Sequence, residues 1–333
     1  RKKAKDEAKA KLADGTVKIA VGTHALFSDD VEFQNLGLVI VDEQHRFGVA
    51  QRLALKSKGR DVHQLMMSAT PIPRTLAMSF FADLDVSVID ELPPGRTPIK
   101  TRLVNNIRRA EVEGFVLNIC RKGQQAYWVC PLIEESETLQ LQTATETLAQ
   151  LQAALPELNI GLVHGRMKAA EKAEVMAQFA AGRLNVLVAT TVIEVGVDVP
   201  NAALMVIEHA ERMGLAQLHQ LRGRVGRGAA ESVCVLLFAE PLSELAKARL
   251  KVIYEHTDGF EIAHQDLNIR GPGEFLGARQ SGVPMLRFAN LEEDLHLLEQ
   301  AREIAPMLIE QNPEIVEAHL ARWLSSREGY LGV

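Results

Sequence analysis

The sequence predicts an α/β protein with parallel sheets, in which two strand-and-helix regions precede a helical C-terminal region. Two observations lead to this fold class. Short apolar runs bounded by turn residues alternate with amphipathic segments of helical length, an order typical of parallel sheets that helices cover on both faces. A segment at 92–98 holds three prolines and one glycine, and it divides this alternation into two series.

The first region comprises residues 1–93 and begins with a lysine-rich helix. We predict three strands after this helix, at residues 17–21, 36–41 and 64–67, because each is an apolar run that ends at turn-forming or polar residues. The segment at 92–98 then favours an extended linker to the second region.

The second region, residues 94–238, again alternates strands with amphipathic helices, which predicts a doubly wound parallel sheet. Its strands are predicted at residues 126–130, 160–163, 186–189, 204–208 and 233–238. The third region, residues 239–333, begins with a predicted helix at 243–256. A loop rich in glycine and proline is expected to follow through residue 282, and then helices at 291–309 and 313–324.

Composition narrows the class of protein. The hydrophobic fraction of 47% is enough for buried cores, and no apolar run reaches the length of a membrane span. Cys120, Cys130 and Cys234 lack the spacing of a metal site, so we expect reduced core residues in a cytosolic protein. The net charge of −6 argues only weakly against nucleic-acid binding, because local basic patches can bind a phosphate backbone.

Asp42 and Glu43 directly follow the strand predicted at 36–41. The carboxyl ends of parallel strands open onto the ligand sites of α/β proteins. There, one carboxylate can hold Mg²⁺ through its water shell and the other can orient the water that attacks a γ-phosphate. An isolated Asp-Glu pair more often caps the next helix, so this interpretation depends on the rest of the chain.

Arg224 and Arg227 belong to a segment rich in glycine and arginine, residues 217–227. On a helical turn their guanidiniums would project from one face and could bind phosphate oxygens in pairs. Gly223 and Gly226 would leave room for a second surface to approach. Taken alone, the segment could be a solvated basic loop. Together with the acidic pair it predicts a two-sided triphosphate site with arginine fingers.

Hydroxyl side chains follow two more predicted strands. They are Ser68 and Thr70 after the strand at 64–67, and Thr190 and Thr191 after the strand at 186–189. The first pair can hydrogen-bond to the acidic pair, although such a turn also commonly caps a helix. The second pair suits a nucleic-acid phosphate, and Gly196 and Asp198 suit the ribose side of a nucleotide, although any α/β strand and turn could have this sequence.

These four segments, in this order, resemble motifs II, III, V and VI of superfamily 2 helicases and translocases. Residues 42–52, 68–77, 83–96 and 258–284 are similar to the bacterial RecG family of branched-DNA helicases, and the related Mfd transcription-repair coupling factors share part of this pattern. The resemblance implies RecA-like sheets: part of a first motor domain at 1–93, a complete second motor domain at 94–238, and a translocation-motif helical hairpin with C-terminal helices at 239–333.

The resemblance also implies roles for individual residues. Catalysis would fall to Asp42, Glu43, Arg224 and Arg227, with Asp42 holding Mg²⁺ mostly through water. The residues expected to bind ATP or to couple its hydrolysis to motion are Gln44, His45, Ser68, Thr70, Gly196, Asp198 and Gln220. The residues expected to contact DNA or drive translocation are Thr23, Thr190, Thr191, Arg249, Arg270 and Gln280. Without the resemblance, Arg249 would be a surface helix charge and Arg270 a turn cation paired with Glu274.

The function implied is an ATP- and Mg²⁺-dependent translocase on double-stranded DNA, which remodels stalled replication forks and Holliday junctions. We expect a monomer in the bacterial cytoplasm, with branched DNA as its main partner and single-strand-binding protein as a further one. No Walker A phosphate loop is present. We therefore expect a C-terminal fragment that also lacks the family's wedge domain, and we expect little activity from it alone.

Three alternatives stay open. The intact protein could be a translocase of the transcription-repair coupling type, which shares several of these motifs. The fragment by itself could be a DNA-binding module that does not hydrolyse ATP. A nuclease is disfavoured, because the motif that contains Asp42 and Glu43 is one compact acidic pair with no second carboxylate cluster.

Overall fold

A computed structural model describes residues 2–43, 58–59, 61–68, 85, 87–89, 91, 98–131, 137–190, 199–228, 231–270 and 295–324. Its contacts divide the chain into two units, one of residues 1–69 and 276–333 and the other of residues 70–275. Each unit has its own parallel sheet. The domain boundaries expected after residues 93 and 238 stay predictions.

The first unit begins with helix α1, Lys2–Ala13, where the lysine-rich sequence predicts it. Strand β1, Leu38–Val41, then pairs in parallel with β2, His63–Met66, and Val41 lies opposite Met66. Both predicted strands are therefore present within two residues of their expected bounds. Because they are parallel, the segments that follow them emerge at the same edge of the sheet.

Side chains of β1 alternate between a buried and an exposed face, as the pleat of a strand requires. Val39 and Val41 are 9% and 4% exposed, whereas Leu38 and Ile40 are 57% and 58% exposed. Phe27, Leu36 and Val62 pack against the buried face. This small core positions the end of β1, where the acidic pair begins.

The strand predicted at residues 17–21 is wrong, because the backbone there forms no strand. Ile19 and Val21 are 81% and 95% exposed. An apolar run becomes a strand only where a second strand pairs with it. In the described part of this unit, β1 and β2 pair with each other, and neither pairs with residues 17–21.

The second unit is a doubly wound parallel sheet, as predicted. Its strands are β3, Lys100–Asn105; β4, Gln125–Cys130; β5, Ile160–Val163; β6, Val186–Thr190; β7, Ala202–Ile207; and β8, Val233–Phe238. Their order across the sheet is β3-β8-β7-β4-β6-β5, and every pairing is parallel. The strands predicted from apolar runs are present, with bounds that differ by two residues or fewer.

Helices cover both faces of this sheet. They are α2, Arg109–Arg121; α3, Glu137–Ala154; α4, Ala169–Ala180; α5, Leu215–Arg222; α6, Glu244–Glu255; and α7, Gly259–Arg270. Residues of α2 and α3 share one core with Trp128, and residues of α4 to α7 share the other with Tyr127. Because these neighbours in β4 point to opposite faces, both faces of the strand are apolar, which confirms the α/β fold class.

Helix α6 matches its prediction, and the hydroxyl of Ser243 caps it by accepting from the amide of Ala246 at 3.1 Å. The loop predicted to follow it is wrong for residues 259–270, which form α7. The carboxylate of Asp258 accepts from the amide of Phe260 at 2.9 Å at the start of this helix. The glycines and proline that indicated a loop cluster after residue 270, so they do not interrupt α7.

The two predicted C-terminal helices are present as α8, Leu295–Gln311, and α9, Pro313–Leu324, and they pack against each other. Among the helices that the structure describes, none has the length and apolarity to cross a membrane.

The three cysteines lie in the core of the second unit, as predicted. Burial raises the pKa of the Cys120 thiol to about 11 and the pKa of the Cys130 and Cys234 thiols to about 12. These thiols therefore stay protonated near neutral pH and behave as small apolar side chains.

Candidate functional site

The acidic pair lies at the carboxyl end of β1. Asp42 is exposed, and its carboxylate accepts a hydrogen bond from the amide of Glu43 at 2.8 Å. Glu43 is half-buried and has a φ of +54°, in the left-handed region that residues other than glycine rarely adopt. Strained backbone of this kind clusters at functional sites.

The predicted motif III residue Ser68 emerges at the same edge. The amide of Met67 donates to the carbonyl oxygen of Val41 at 2.8 Å, so the parallel pairing continues one residue beyond β2. Ser68 and Asp42 therefore follow neighbouring strand ends, as the sequence predicts, and Ser68 is half-buried. Three partners expected at this edge, Gln44, His45 and Thr70, lie outside the described residues.

The described carboxylates fit a magnesium ion that keeps most of its water. Among the residues that the structure describes, no three His, Cys, Asp or Glu side chains gather into a metal cage. Mg²⁺ usually binds nucleotide enzymes through one or two carboxylates, several waters and the substrate phosphates, so a single exposed Asp42 is an adequate protein ligand.

The two predicted finger arginines lie just beyond α5, which ends at Arg222. Arg224 is half-buried in the turn after the helix, and Arg227 is exposed. The expectation that both project from one helical turn is wrong, because Gly226 has a φ of +78° and leads the chain out of helical geometry. Gln220, expected to contact ATP, lies within α5 and is half-buried.

Glycines near the fingers differ in what the described chain requires of them, and the expectation that Gly223 and Gly226 leave room for a second surface stays a prediction. A Cβ at Gly223 would make only ordinary contacts, at 3.5 Å, so this position does not require glycine for space. Gly226 is favoured by its positive φ. Gly228 is required for close approach, because a Cβ there would lie 2.3 Å from the carbonyl oxygen of Pro200.

Arg222 is a functional candidate that the sequence interpretation missed. It is only 3% exposed, and its guanidinium donates to carbonyl oxygens at the end of α6 and to His219. The spacing could have indicated this burial, because Arg222 follows Leu215 by seven positions and Leu218 by four, on the apolar face of α5.

Arg249 is not the solvated surface charge that its helix alone would suggest. It is half-buried in α6, and its guanidinium donates to the carbonyl oxygen of Glu211 at 3.2 Å. Glu211 precedes α5, so this arginine joins α6 to the segment that leads into the fingers.

A buried ion pair lies where β7 ends and the chain turns toward α5. Glu208 is 5% exposed, pairs with Arg109 of α2, and accepts from the indole N–H of Trp128 at 2.9 Å. The Arg109 guanidinium lies 5.0 Å from the centroid of the Trp128 ring, which suits a cation–π contact. His209, the next residue, has a φ of +47°. This cluster fixes the end of β7.

Besides Arg249, two more of the residues predicted to contact DNA can be located. Thr23 is exposed at the start of a short 3₁₀ helix, His24–Phe27. Thr190 is 3% exposed at the end of β6, and its hydroxyl has no partner within the described part of the chain. The remaining predicted positions, Thr191, Gly196, Asp198, Gln280 and the side chain of Arg270, lie outside what the structure describes.

The described residues can do two kinds of chemistry. On the first unit, a strand end presents a pair of carboxylates suited to a hydrated metal and a water nucleophile. On the second unit, Arg224 and Arg227 follow a helix that Arg222 holds against α6. Guanidiniums so placed are suited to stabilising negative charge on a phosphoryl group.

Comparison with known families matches three parts of the chain. Residues 1–79 match the DEAD/DEAH box helicase family, and residues 111–229 match the helicase conserved C-terminal domain. Residues 256–324 match the family described as ATP-dependent DNA helicase RecG, domain 3, C-terminal.

Individual relatives agree with these families. The chain is 58% identical to the ATP-dependent DNA helicase RecG of Acidithiobacillus ferridurans over 319 residues, and 57% identical to that of Escherichia coli K12 over 324 residues. Each match covers 96% of this chain and 47% of the relative. The chain therefore spans about half the length of these relatives.

Among solved structures, that of RecG bound to a three-way DNA junction is 49% identical and has a TM-score of 0.66, with 89% of this chain and 38% of that one covered. The structure of the Mycobacterium smegmatis helicase Lhr is 20% identical and has a TM-score of 0.50. The match covers 70% of this chain and 32% of the Lhr chain, and it shows the shared fold alone.

Proposed function

This chain belongs to the RecG family of helicases, and from that premise we propose that the protein containing it is an ATP-driven double-stranded DNA translocase that remodels branched DNA. Its substrates would be stalled forks and Holliday-type junctions. The match of residues 256–324 to a RecG domain favours this function over that of a transcription-repair coupling factor.

One observation carries the proposal. The chain holds, at the end of a parallel strand, an exposed Asp42 followed by a strained Glu43. The RecG structure that was solved on a three-way DNA junction, at 49% identity, adds support for branched DNA as the substrate. The left-handed conformation at Glu43 costs about 1–3 kcal/mol, and an active site that must hold a carboxylate in one direction is one of the places where such strain is kept.

In the proposed reaction, Asp42 and Glu43 have different tasks. Asp42 would hold Mg²⁺ mostly through water, and the ion when bound would neutralise charge on the phosphates of ATP. Glu43 would accept a hydrogen bond from the attacking water and orient it. Its half-buried position limits the directions its carboxylate can take, which suits a positioning task.

Arg224 and Arg227 would act on the same nucleotide by stabilising the charge that develops on the transferred phosphoryl group. Fingers of this type contribute about 10³–10⁵ in rate, so a small displacement of the segment after α5 is enough to turn hydrolysis on or off. That sensitivity would link each hydrolysis event to movement of the helices packed beside α5.

Partners and location follow from the same family. Branched double-stranded DNA would be the main partner and single-strand-binding protein a further one, with the motor acting as a monomer in the bacterial cytoplasm. Thr23, Thr191, Arg249, Arg270 and Gln280 are the residues we propose for contact with DNA or for moving it. We propose Thr190 for this group too, because its hydroxyl at the end of β6 is buried and has no partner among the described residues.

The test uses the full-length protein that contains this chain. Phosphate release is measured with ATP and Mg²⁺, with a three-way junction or with a linear duplex of the same length and composition as the control. Unwinding of the junction is followed in parallel. We expect the junction to stimulate hydrolysis much more than the duplex and to be unwound only with ATP. Hydrolysis that ignores the junction, or no unwinding, would contradict the proposal.

A further inference from the structure

The guanidinium of Arg222 is enclosed by the ends of two helices. From α5 it donates to the carbonyl oxygens of Ile253 at 2.8 Å, His256 at 2.9 Å and Thr257 at 3.3 Å, which lie at and just beyond the C-terminal end of α6. It also donates to Nδ1 of His219 at 3.0 Å within α5. These bonds join the last turn of one helix to the end of the other.

The buried charge of Arg222 requires polar partners at this joint. The side chain is 3% exposed, and within the described residues no carboxylate pairs with it. A buried cation without a counter-ion is costly unless polar groups replace water. The carbonyl oxygens at a helix C-terminus carry partial negative charge and can serve in this way. Arg222 therefore favours only arrangements in which the end of α6 stays against α5.

Two further contacts make the joint continuous. Arg249 of α6 donates to the carbonyl oxygen of Glu211, just before α5. Hydrogen bonds therefore link α6 to the chain before α5 through Arg249 and to the end of α5 through Arg222. Leu218 of α5 shares a core with Ile253 of α6 and Ile262 of α7. Because polar bonds and apolar packing act together, α5, α6 and α7 are suited to move as one body.

We propose that Arg222 is a positioning residue that transmits motion between the finger segment, residues 223–227, and the helix pair α6–α7. The inference rests on the proposed translocase function and assigns to one residue the link between hydrolysis and DNA movement. Arg222 directly precedes the finger segment in sequence and reaches the turn between α6 and α7, so displacement of either end moves the other.

Arginine is required at this position for geometric reasons. Its planar fork presents donors in several fixed directions, and here they reach carbonyl oxygens and a histidine nitrogen at once. Lysine carries the same charge on a single ammonium group and cannot span these acceptors. Arg222→Lys therefore keeps the charge and removes the joint.

His219 offers a second way into the same joint. Arginine has only donors, so Nδ1 of His219 must accept, which requires a neutral ring. Asparagine places an acceptor oxygen close to that nitrogen, whereas leucine has none. His219→Leu should loosen the Arg222 fork and His219→Asn should restore it, even if Arg222→Lys impairs folding.

The experiment measures junction unwinding and ATP hydrolysis on the same preparations of the full-length protein. Hydrogen exchange of residues 244–270 is measured with and without a nonhydrolysable ATP analogue and junction DNA. The variants are Arg222→Lys, His219→Leu and His219→Asn. Thr101→Val is the matched control, because its hydroxyl accepts from Arg222 at 3.3 Å but belongs to β3 and not to α6.

We expect Arg222→Lys to lower unwinding per ATP hydrolysed by about tenfold, within the range of known conformational coupling, with ATP hydrolysis changed less than about threefold. The nucleotide-dependent exchange of 244–270 should disappear. His219→Leu should show a weaker form of both effects, and His219→Asn and Thr101→Val should resemble the wild type.

Equal loss of hydrolysis and unwinding in Arg222→Lys and His219→Leu would overturn the inference, as would unchanged unwinding or a retained exchange response. Failure of the proposed function would look different. In that case the wild-type protein itself would not unwind the junction, while the exchange response of 244–270 would still report whether Arg222 transmits nucleotide binding.

Discussion

Glu43 combines an unusual backbone with the carboxylate on which the proposed hydrolysis depends. We predict that Glu43→Gln in the full-length protein leaves ATP binding nearly unchanged and lowers turnover by about 10²–10⁴-fold, because the amide keeps the shape but no longer accepts a proton or orients water. Binding of a fluorescent ATP analogue and phosphate release measure the two effects separately.

Glu32→Gln is the matched control for this variant, since Glu32 is an exposed carboxylate in the same unit. It should leave both binding and turnover unchanged. If Glu43→Gln reduced nucleotide affinity as much as turnover, the residue would be structural, and the proposed catalytic pair would be reduced to Asp42.

His219 gives the second unit a predictable response to acid. Burial, and then the neighbouring charge of Arg222, lower the pKa of His219 to about 4 from an ordinary value of 6.5. Between these values the unfolded chain binds a proton that the folded chain does not. Stability from this group is therefore complete above about pH 6.5 and is lost as pH falls toward 4.

We predict that lowering the pH from 7.5 to 5 costs about 1–2 kcal/mol of unfolding free energy through His219, since each pKa unit corresponds to about 1.4 kcal/mol. Asparagine cannot take up this proton, so His219→Asn should flatten that part of the profile. Denaturant unfolding of both proteins at each pH gives the difference. Identical pH dependence in the two proteins would show that His219 is solvated.

For single residues, the sequence predicted those whose role can be inferred from their neighbours in the chain. Asp42 and Glu43 follow an apolar run, and a strand end is the natural place for them. Arg222 was not distinguished from the arginines beside it, because its partners are backbone carbonyls in α6. Only the tertiary fold brings these carbonyls within reach of Arg222. Every residue type has a backbone carbonyl, so the sequence at positions 253–257 does not indicate that they bind an arginine.

The helices and strands differ in how well the local sequence pattern predicted them. The strands of the second unit are buried on both faces, so their apolar runs are unambiguous. The strand expected at 17–21 is absent because strands depend on neighbours that a local pattern cannot show. Helix α7 was not predicted, because its amphipathic pattern is weak and because glycines and a proline follow it.

Glycines give the element scale a direct test. Gly228 meets the backbone of Pro200, so Gly228→Ala should destabilise the second unit by about 1–3 kcal/mol through overpacking. Gly114 lies inside α2 with open space around its Cβ direction, so Gly114→Ala should stabilise by up to about 1 kcal/mol. Denaturant unfolding measures both, and effects of equal sign would contradict the described packing.

For the whole molecule, the chain's two units hold different parts of the proposed chemistry: carboxylates on the first, and guanidiniums with the α6–α7 pair on the second. The order of the motifs predicted this division, because the acidic pair and Ser68 follow strands of the first sheet, whereas Thr190 ends a strand of the second sheet and the finger arginines follow α5. The boundary expected after residue 238 stays a prediction, and residues of α6 and α7 share a core with the second sheet.

The division predicts how hydrolysis and DNA movement separate. Arg227 is proposed to act on the phosphoryl group, so Arg227→Ala in the full-length protein should lose ATP hydrolysis and junction unwinding together, by about 10³-fold or more. Arg270 and Gln280 are proposed to act on DNA. Arg270→Ala or Gln280→Ala should therefore impair unwinding much more than hydrolysis, because ATP would still turn over without moving DNA.

Both activities are measured on the same preparations with the same junction. Arg121→Ala is the matched control, because Arg121, the last residue of α2, is an exposed arginine that pairs with Glu157. It should change neither rate. If Arg270→Ala abolished hydrolysis as fully as Arg227→Ala, or left unwinding intact, Arg270 would have no separate role in moving DNA. The link through Arg222 would then have to act on DNA by α6 and α7 alone.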